Sequence, residues 1–201
     1  MGYYIRVLSK QREPVSLSAI RLALEADALR ASEVAEDGDD HWEEFVLAHR
    51  DNTEFAFVER NAVEPDSLGA DELQEFIDEI PGHRPKSAAD WLVGYLPSVQ
   101  TIYSLQILSS ADRDDGWLAI HATQSALWNA GGGILQADSE GFSNEDGHHI
   151  LWQFSDNVEG DWQVAVLDET GSWTAFKMDL GRADHRSEFL AGRVPPDATL
   201  L

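Results

Sequence analysis

The fold class is decided by EEFVLAHRDNTEFAFVER, which runs from Glu43 to Arg60 in this chain of 201 residues. Its two halves, Glu43 to His49 and Glu54 to Arg60, are rich in aromatic and branched residues, as strands are. The RDNT segment between them consists of residues that favour turns, so the stretch predicts an antiparallel hairpin. Hairpins of this kind favour an α+β fold over a doubly wound parallel sheet.

The same patterns continue on both sides of the hairpin. Upstream they predict a strand at Tyr3 to Ser9, a short helix with Leu17, Ile20 and Leu24 on one stripe, and a weaker strand at Ala31 to Asp37. Downstream they predict helices near Gly69 to Ile80 and near Lys86 to Leu96, separated by Pro81 and Gly82.

After Pro97 the pattern begins again with a strand at Thr101 to Ser110 and a helix from about Asp115 to Ala130. Four further strands are predicted at ILQAD, HHILWQF, WQVAVLDE and SWTAFKMDL, and a last helix at ADHRSEFLAG. We therefore expect an α+β protein with mostly antiparallel sheets and flanking helices.

The two halves, 1–98 and 99–201, share an order of elements that suggests tandem duplication of a β-α-β-β-(β)-α unit. Short sequence segments also resemble each other between the halves, as IRVLS near residue 5 resembles LQILS near residue 105. Chance similarity within any α+β chain is the alternative. Under either interpretation we expect the halves to pack as one globular unit.

Composition excludes several classes of function. With no cysteine, the chain has no disulfide, no thiolate zinc site and no cysteine nucleophile. The first ten residues lack an apolar signal core, and no apolar run approaches the roughly 20 residues that a membrane span needs. We expect a cytoplasmic protein that does not interact with membranes.

Charge is the unusual property of this sequence, because 37 acidic residues face 14 basic ones and give a net charge of −23. Such a field repels nucleic acid and attracts cationic partners, so it predicts a basic protein partner and no direct contact with nucleic acid. Solubility, adaptation to a salty habitat and a GC-rich genome are alternative explanations of the acidity.

Two acidic stretches, EDGDDHWEE and DSEGFSNED, are the candidate partner-binding segments. They are ordinary solvated hairpin loops in one interpretation. In the other they are acidic prongs, each with an aromatic anchor that would be buried on binding. The candidate residues are Asp37, Asp39, Asp40, Trp42, Glu43, Glu44, Asp138, Glu140, Phe142, Glu145 and Asp146.

Other motifs support no cofactor, no metal site and no assigned catalytic residue. The glycines at 131–133 follow a helix rather than precede one, so they predict a C-terminal cap and not a phosphate loop. His148 and His149 are adjacent on a predicted strand and point to opposite faces, so they cannot hold one metal together. His121 lies on a predicted apolar helix face, which favours a packed core residue over a general base.

Three hypotheses about function follow. The first is a non-enzymatic acidic binding protein that captures and occludes a basic partner, such as a bacterial immunity protein against a toxin or a mimic of DNA charge. The second is a hydrolase or metal-dependent enzyme that uses Asp, Glu and His in a cleft between the halves. The third is a structural protein whose acidity reflects habitat. The sequence does not indicate an oligomeric state.

Overall fold

The computed structural model describes residues 2–26, 31–34, 41–113 and 115–201. The strands are β1 (Tyr3–Ser9), β2 (Ala31–Val34), β3 (Glu44–His49), β4 (Glu54–Ala62), β5 (Thr101–Ile107), β6 (Ile134–Ala137), β7 (Gly141–Ser143), β8 (His149–Trp152), β9 (Asp161–Leu167), β10 (Trp173–Asp179) and β11 (Thr199–Leu200). The helices are α1 (Leu17–Ala26), α2 (Leu68–Glu79), α3 (Lys86–Tyr95), α4 (Gly116–Gly131) and α5 (Ala183–Leu190), and short 3₁₀ turns cover Ile80–Gly82, Leu96–Ser98 and Ser109–Asp112.

The predicted hairpin is present as β3 and β4, which pair antiparallel. Its turn closes through the His49 N–H, which donates to the Thr53 carbonyl at 2.8 Å, and the Asn52 N–H, which donates to the His49 carbonyl at 2.9 Å. Asn52 has a φ of 66°, a conformation that asparagine tolerates better than most residues. The prediction of a mostly antiparallel α+β fold is therefore confirmed.

The chain forms two compact units, and the first comprises residues up to Asp71 together with Val99–Leu135. Its strand order is β6-β1-β5-β4-β3-β2. The neighbouring strands β1 and β5 are antiparallel, with Ile5 opposite Leu105. Helices α1 and α4 pack against each other, and α4 also contacts β1. The core residues Val7, Leu8 and Leu105 are fully buried beneath these helices and strands.

The second unit comprises Glu72–Ser98 and Gln136–Leu201. Its strand order is β11-β10-β9-β8-β7, and each pair is antiparallel except β8 with β9, which is parallel at His149 and Val164. One face of β9 and β10 packs on α5 through an apolar cluster. The cluster consists of Phe154, Val164, Val166, Phe176, Met178, Leu180 and Phe189.

These units are interleaved along the chain and do not follow the boundary predicted after residue 98. Helix α3 belongs to the second unit, whereas β5 and α4 belong to the first. The tandem duplication is unconfirmed. The strand after α1 is β2, four places from β1 in the sheet order, whereas the strand after α4 is β6, only two places from β5. The two connections therefore differ.

No helix within the described part of the chain combines the length and the apolar character that crossing a bilayer requires.

Candidate functional site

Trp42 is a core residue, so its prediction as an aromatic anchor for a partner is wrong. The side chain is 0% exposed. Its indole Nε1 donates a hydrogen bond to the Val15 carbonyl at 2.8 Å, and its ring packs on Phe45 and Tyr103 at centroid distances of 5.0 and 5.8 Å. Because both the apolar ring and its one polar atom are satisfied inside the first unit, Trp42 offers nothing to another molecule.

Phe142 is also buried, at 1% exposed, so the second predicted anchor is wrong as well. It lies on β7, in the middle of the stretch expected to be a loop. Its ring meets Phe76 of α2 edge-on, with the centroids 5.5 Å apart. Gly141 beside it has a φ of 123°, and a Cβ there would lie 1.9 Å from the Leu151 carbonyl oxygen, so only glycine fits. Phe142 therefore supports α2 from within the second unit.

The described carboxylates of the two candidate stretches lie in different compact units. Glu43 and Glu44 are exposed at the start of β3, in the first unit. Asp37, Asp39 and Asp40 lie outside the described residues. The strand predicted at Ala31 to Asp37 is present as β2, and its last three residues lie outside them too.

In the second unit, β7 divides the acidic stretch into two separate turns. Asp138 and Glu140 are half-buried in the turn before β7, and Glu145 and Asp146 are exposed in the turn after it. The Tyr95 hydroxyl donates to Glu145 Oε1 at 2.9 Å. Burial, followed by this carboxylate, raises the pKa of Tyr95 above its ordinary value. The structure therefore anchors Glu145 rather than leaving it in an open prong.

A denser acidic surface lies on α2, which was not among the candidate segments. Between Arg60 and Arg84 the chain has no Lys or Arg, and α2 alone carries five carboxylates. At 100° per residue they fall on one arc of about 120°, opposite the buried Leu73 and the Phe76 ring that rests on Phe142. This acidic face consists of Asp71, Glu72, Glu75, Asp78 and Glu79.

Four of the five carboxylates on the acidic face have no ion pair among the described residues, although the Gln74 amide donates a hydrogen bond to Asp78 at 2.8 Å. Asp71, Glu75, Asp78 and Glu79 are exposed, and no ion pair to any of these four occurs among the residues that the structure describes. The last turn carries no basic residue, although a helix C-terminus has partial negative charge and favours cations. In the sequence, the signal for this surface is that acidic residues recur at intervals of three and four. Such a pattern is harder to notice than a contiguous run of acidic residues.

His121 is exposed on the outer side of α4, so the prediction that it is a packed core residue is wrong. The buried stripe of α4 instead contains Ile120, Thr123 and Leu127, and His121 falls outside that stripe. Its ring lies against Trp117, with a centroid distance of 5.8 Å and an interplanar angle of 31°. It lines a groove of about 560 Å³ along α1 and α4, within the first unit.

His149, on β8, is a deeply buried titratable side chain. It is 2% exposed and lies among the rings of Phe154, Trp162 and Phe189, at centroid distances of 4.8, 5.6 and 6.3 Å. Burial lowers the pKa of His149 to about 3, and a hydrogen bond to the Leu151 backbone opposes this only in part. The Nε2 atom has no hydrogen-bond partner. A neutral imidazole held this way is a core side chain.

The glycines after α4 form the predicted helix end. Gly132 has a φ of 64°, and its N–H donates to the Trp128 carbonyl at 2.7 Å. Gly133 has a φ of 102°, and a Cβ there would lie 2.0 Å from the Leu8 carbonyl oxygen. These glycines cap the helix and let the chain pass close to β1.

Within the described residues, no group of three or more His, Asp and Glu side chains is placed to hold a metal ion. No protein family, no curated protein and no solved structure matches this chain.

Proposed function

We propose that this protein is a non-enzymatic acidic binding protein that captures and occludes a basic protein partner, and that it does so through the acidic face of α2. The observation that carries the proposal is the segregation of five carboxylates, four of them exposed, on one arc of α2, over a chain segment without Lys or Arg. Trp42 and Phe142 have no part in it, because both are buried.

The arrangement on α2 is electrostatically unfavourable for the isolated protein. Glu75 lies one turn from both Asp71 and Glu79, and like charges at this spacing repel. Asp78 and Glu79 also occupy the last turn, where the helix dipole disfavours negative charge. Lys and Arg side chains of a partner would relieve both penalties, and the negative field would speed the encounter.

The chemistry of the partner is that of a Lys- or Arg-rich surface. A basic toxin neutralised by an immunity protein and a nucleic-acid-binding protein blocked by a charge mimic both present such a surface. Both remain narrower forms of the same proposal. The enzymatic hypothesis and the habitat hypothesis stay predictions, and no described contact favours either.

The test compares two sets of neutralised carboxylates. Glu75→Gln, Asp78→Asn and Glu79→Gln are combined in one variant. Glu43→Gln with Glu44→Gln serves as the control, since all five positions are exposed. Binding of a purified basic protein, first recovered at low salt from the source organism, is measured by isothermal titration at increasing ionic strength.

We expect the α2 variant to bind about tenfold more weakly, because each exposed ion pair contributes roughly 0.2–1 kcal/mol. The control should bind as the unmodified protein does, and affinity should fall as salt rises. Equal affinities for both variants, or binding that salt leaves unchanged, would remove α2 from the proposal.

A further inference from the structure

Helix α4 is a surface helix without a single charged side chain. Its 16 residues are GWLAIHATQSALWNAG. Because 25% of the whole chain is charged, about four charges would be ordinary in a surface helix of this length. Five of its residues are nevertheless exposed, and these are Leu118, His121, Ser125, Asn129 and Ala130. Its outer side is therefore neutral in a protein whose net charge is −23.

Helix α1 extends this neutral side. Leu22 and Ala26 are exposed one turn apart, and Ala23 lies beside them at the groove. The charged residues of α1, Arg21 and Glu25, fall on the other edge of that helix at 100° per residue. We define the neutral face as the exposed side of α1 and α4 that includes Leu22, Ala23, Ala26, Leu118, Ala126 and Asn129.

The neutral face has both protruding and recessed apolar parts. Leu22 and Leu118 are 66% and 60% exposed, and they are two of only five large apolar side chains so exposed among the described residues. Between the helices lies the groove of about 560 Å³, whose alanines at 23, 26, 122 and 126 leave room for a larger side chain. An interface between identical copies needs a surface that complements itself, and leucines beside an alanine groove provide one.

We infer that the neutral face is the contact surface between two copies of this chain. The absence of charge favours a second copy over a basic partner, because a cationic surface would find no carboxylate on α4 to pair with. Two copies of net charge −23 repel each other, so they can approach closely only where both surfaces are neutral. The leucines of one copy enter the alanine groove of the other.

The size of the face sets the strength of the dimer. Helix α4 is about 24 Å long and two adjacent helices are about 20 Å wide, which gives a footprint of roughly 500 Å² per copy. Stable interfaces bury about 800 Å² per partner, so this dimer is weak and depends on concentration. Salt strengthens it by screening the repulsion between copies, which is opposite to the effect of salt on capture of a basic partner.

Sedimentation velocity of the full chain tests the inference at about 5 and 500 µM, in low salt and at about 0.5 M salt. We expect dimer at the higher concentration, with a larger fraction at high salt. Leu118→Asp, and separately Ala126→Glu, should raise the dissociation constant at least about tenfold by placing a carboxylate in the interface. Leu68→Asp is the matched control, because Leu68 is 79% exposed on α2.

Circular dichroism confirms that each variant is folded before its mass is compared. A protein that remains monomeric under all four conditions overturns the inference. A dimer that both neutral-face variants leave intact, or that Leu68→Asp disrupts equally, also overturns it. If Leu118→Asp instead weakens the binding of a basic partner, then the neutral face contacts that partner and not a second copy. Failure here leaves the acidic face of α2 untouched, since its test uses other residues and the opposite salt response.

Discussion

Acidification should destabilise this protein through His149 before most carboxylates titrate. The imidazole is buried among three aromatic rings and its pKa is lowered to about 3, whereas an unfolded histidine has a pKa near 6.5. Between these two values the unfolded chain binds a proton that the folded protein does not. Stability is therefore fully present above about pH 6.5 and is lost as the pH falls toward 3.

The size of the effect follows from the same two pKa values. Between pH 7.5 and pH 5.0, one imidazole of this kind lowers the free energy of unfolding by about 2 kcal/mol. Most Asp and Glu side chains stay ionised over this interval, so their contribution is small. The remaining histidines change the free energy of unfolding by the same amount in the unmodified protein and in a variant that lacks only His149. Their contribution therefore cancels when the two proteins are compared.

The assay is urea unfolding at pH 7.5 and pH 5.0, followed by tryptophan fluorescence. In His149→Leu we expect the loss on acidification to be smaller by about 2 kcal/mol. The matched control is His148→Asn, which removes an imidazole from the adjacent, half-buried position. If His149→Leu and the unmodified protein lose stability equally, then the imidazole is protonated in the folded state and the reasoning is refuted.

Three further substitutions test the packing described above, each by the free energy of unfolding in urea. Trp42→Ala should cost about 3–5 kcal/mol, as expected for a buried indole, whereas a surface anchor would leave stability unchanged. Gly133→Ala should lower the free energy of unfolding more than Gly132→Ala does. Both glycines have a positive φ, but only at Gly133 would a Cβ contact the backbone, at Leu8. Equal losses would contradict the observed close approach. Glu79→Gln should raise stability by about 0.3–0.5 kcal/mol, since it removes a negative charge from the last turn of α2, and a loss would contradict that account.

The elements of this fold are readable from the sequence because each has its own periodicity. The hairpin at β3 and β4, and the helices α2, α3 and α4, lie within a few residues of their predicted bounds. Their apolar spacing and the Gly and Pro residues at their ends carry this information locally.

The candidate site was less predictable, because burial of a single aromatic depends on distant contacts. Trp42 lies among acids in the sequence, yet its indole pairs with Val15, which is 27 residues earlier. Phe142 lies on a strand of three residues, which is too short to show a period of two. The prediction selected contiguous acidic residues, which are typical of loops. The acidic residues of α2 are spaced along the sequence and lie on one surface only because the segment is helical.

The pairing of β1 with β5 has a consequence for how the protein is made. Ile5 leaves the ribosome about 100 residues before its partner Leu105, a delay of roughly 5 to 20 seconds at ordinary rates of elongation. During that time the apolar side chains of β1 have no native neighbour on that side. Neither compact unit can close on the nascent chain until both of its segments have emerged, so a stall or truncation near residue 98 leaves the two units unfinished together.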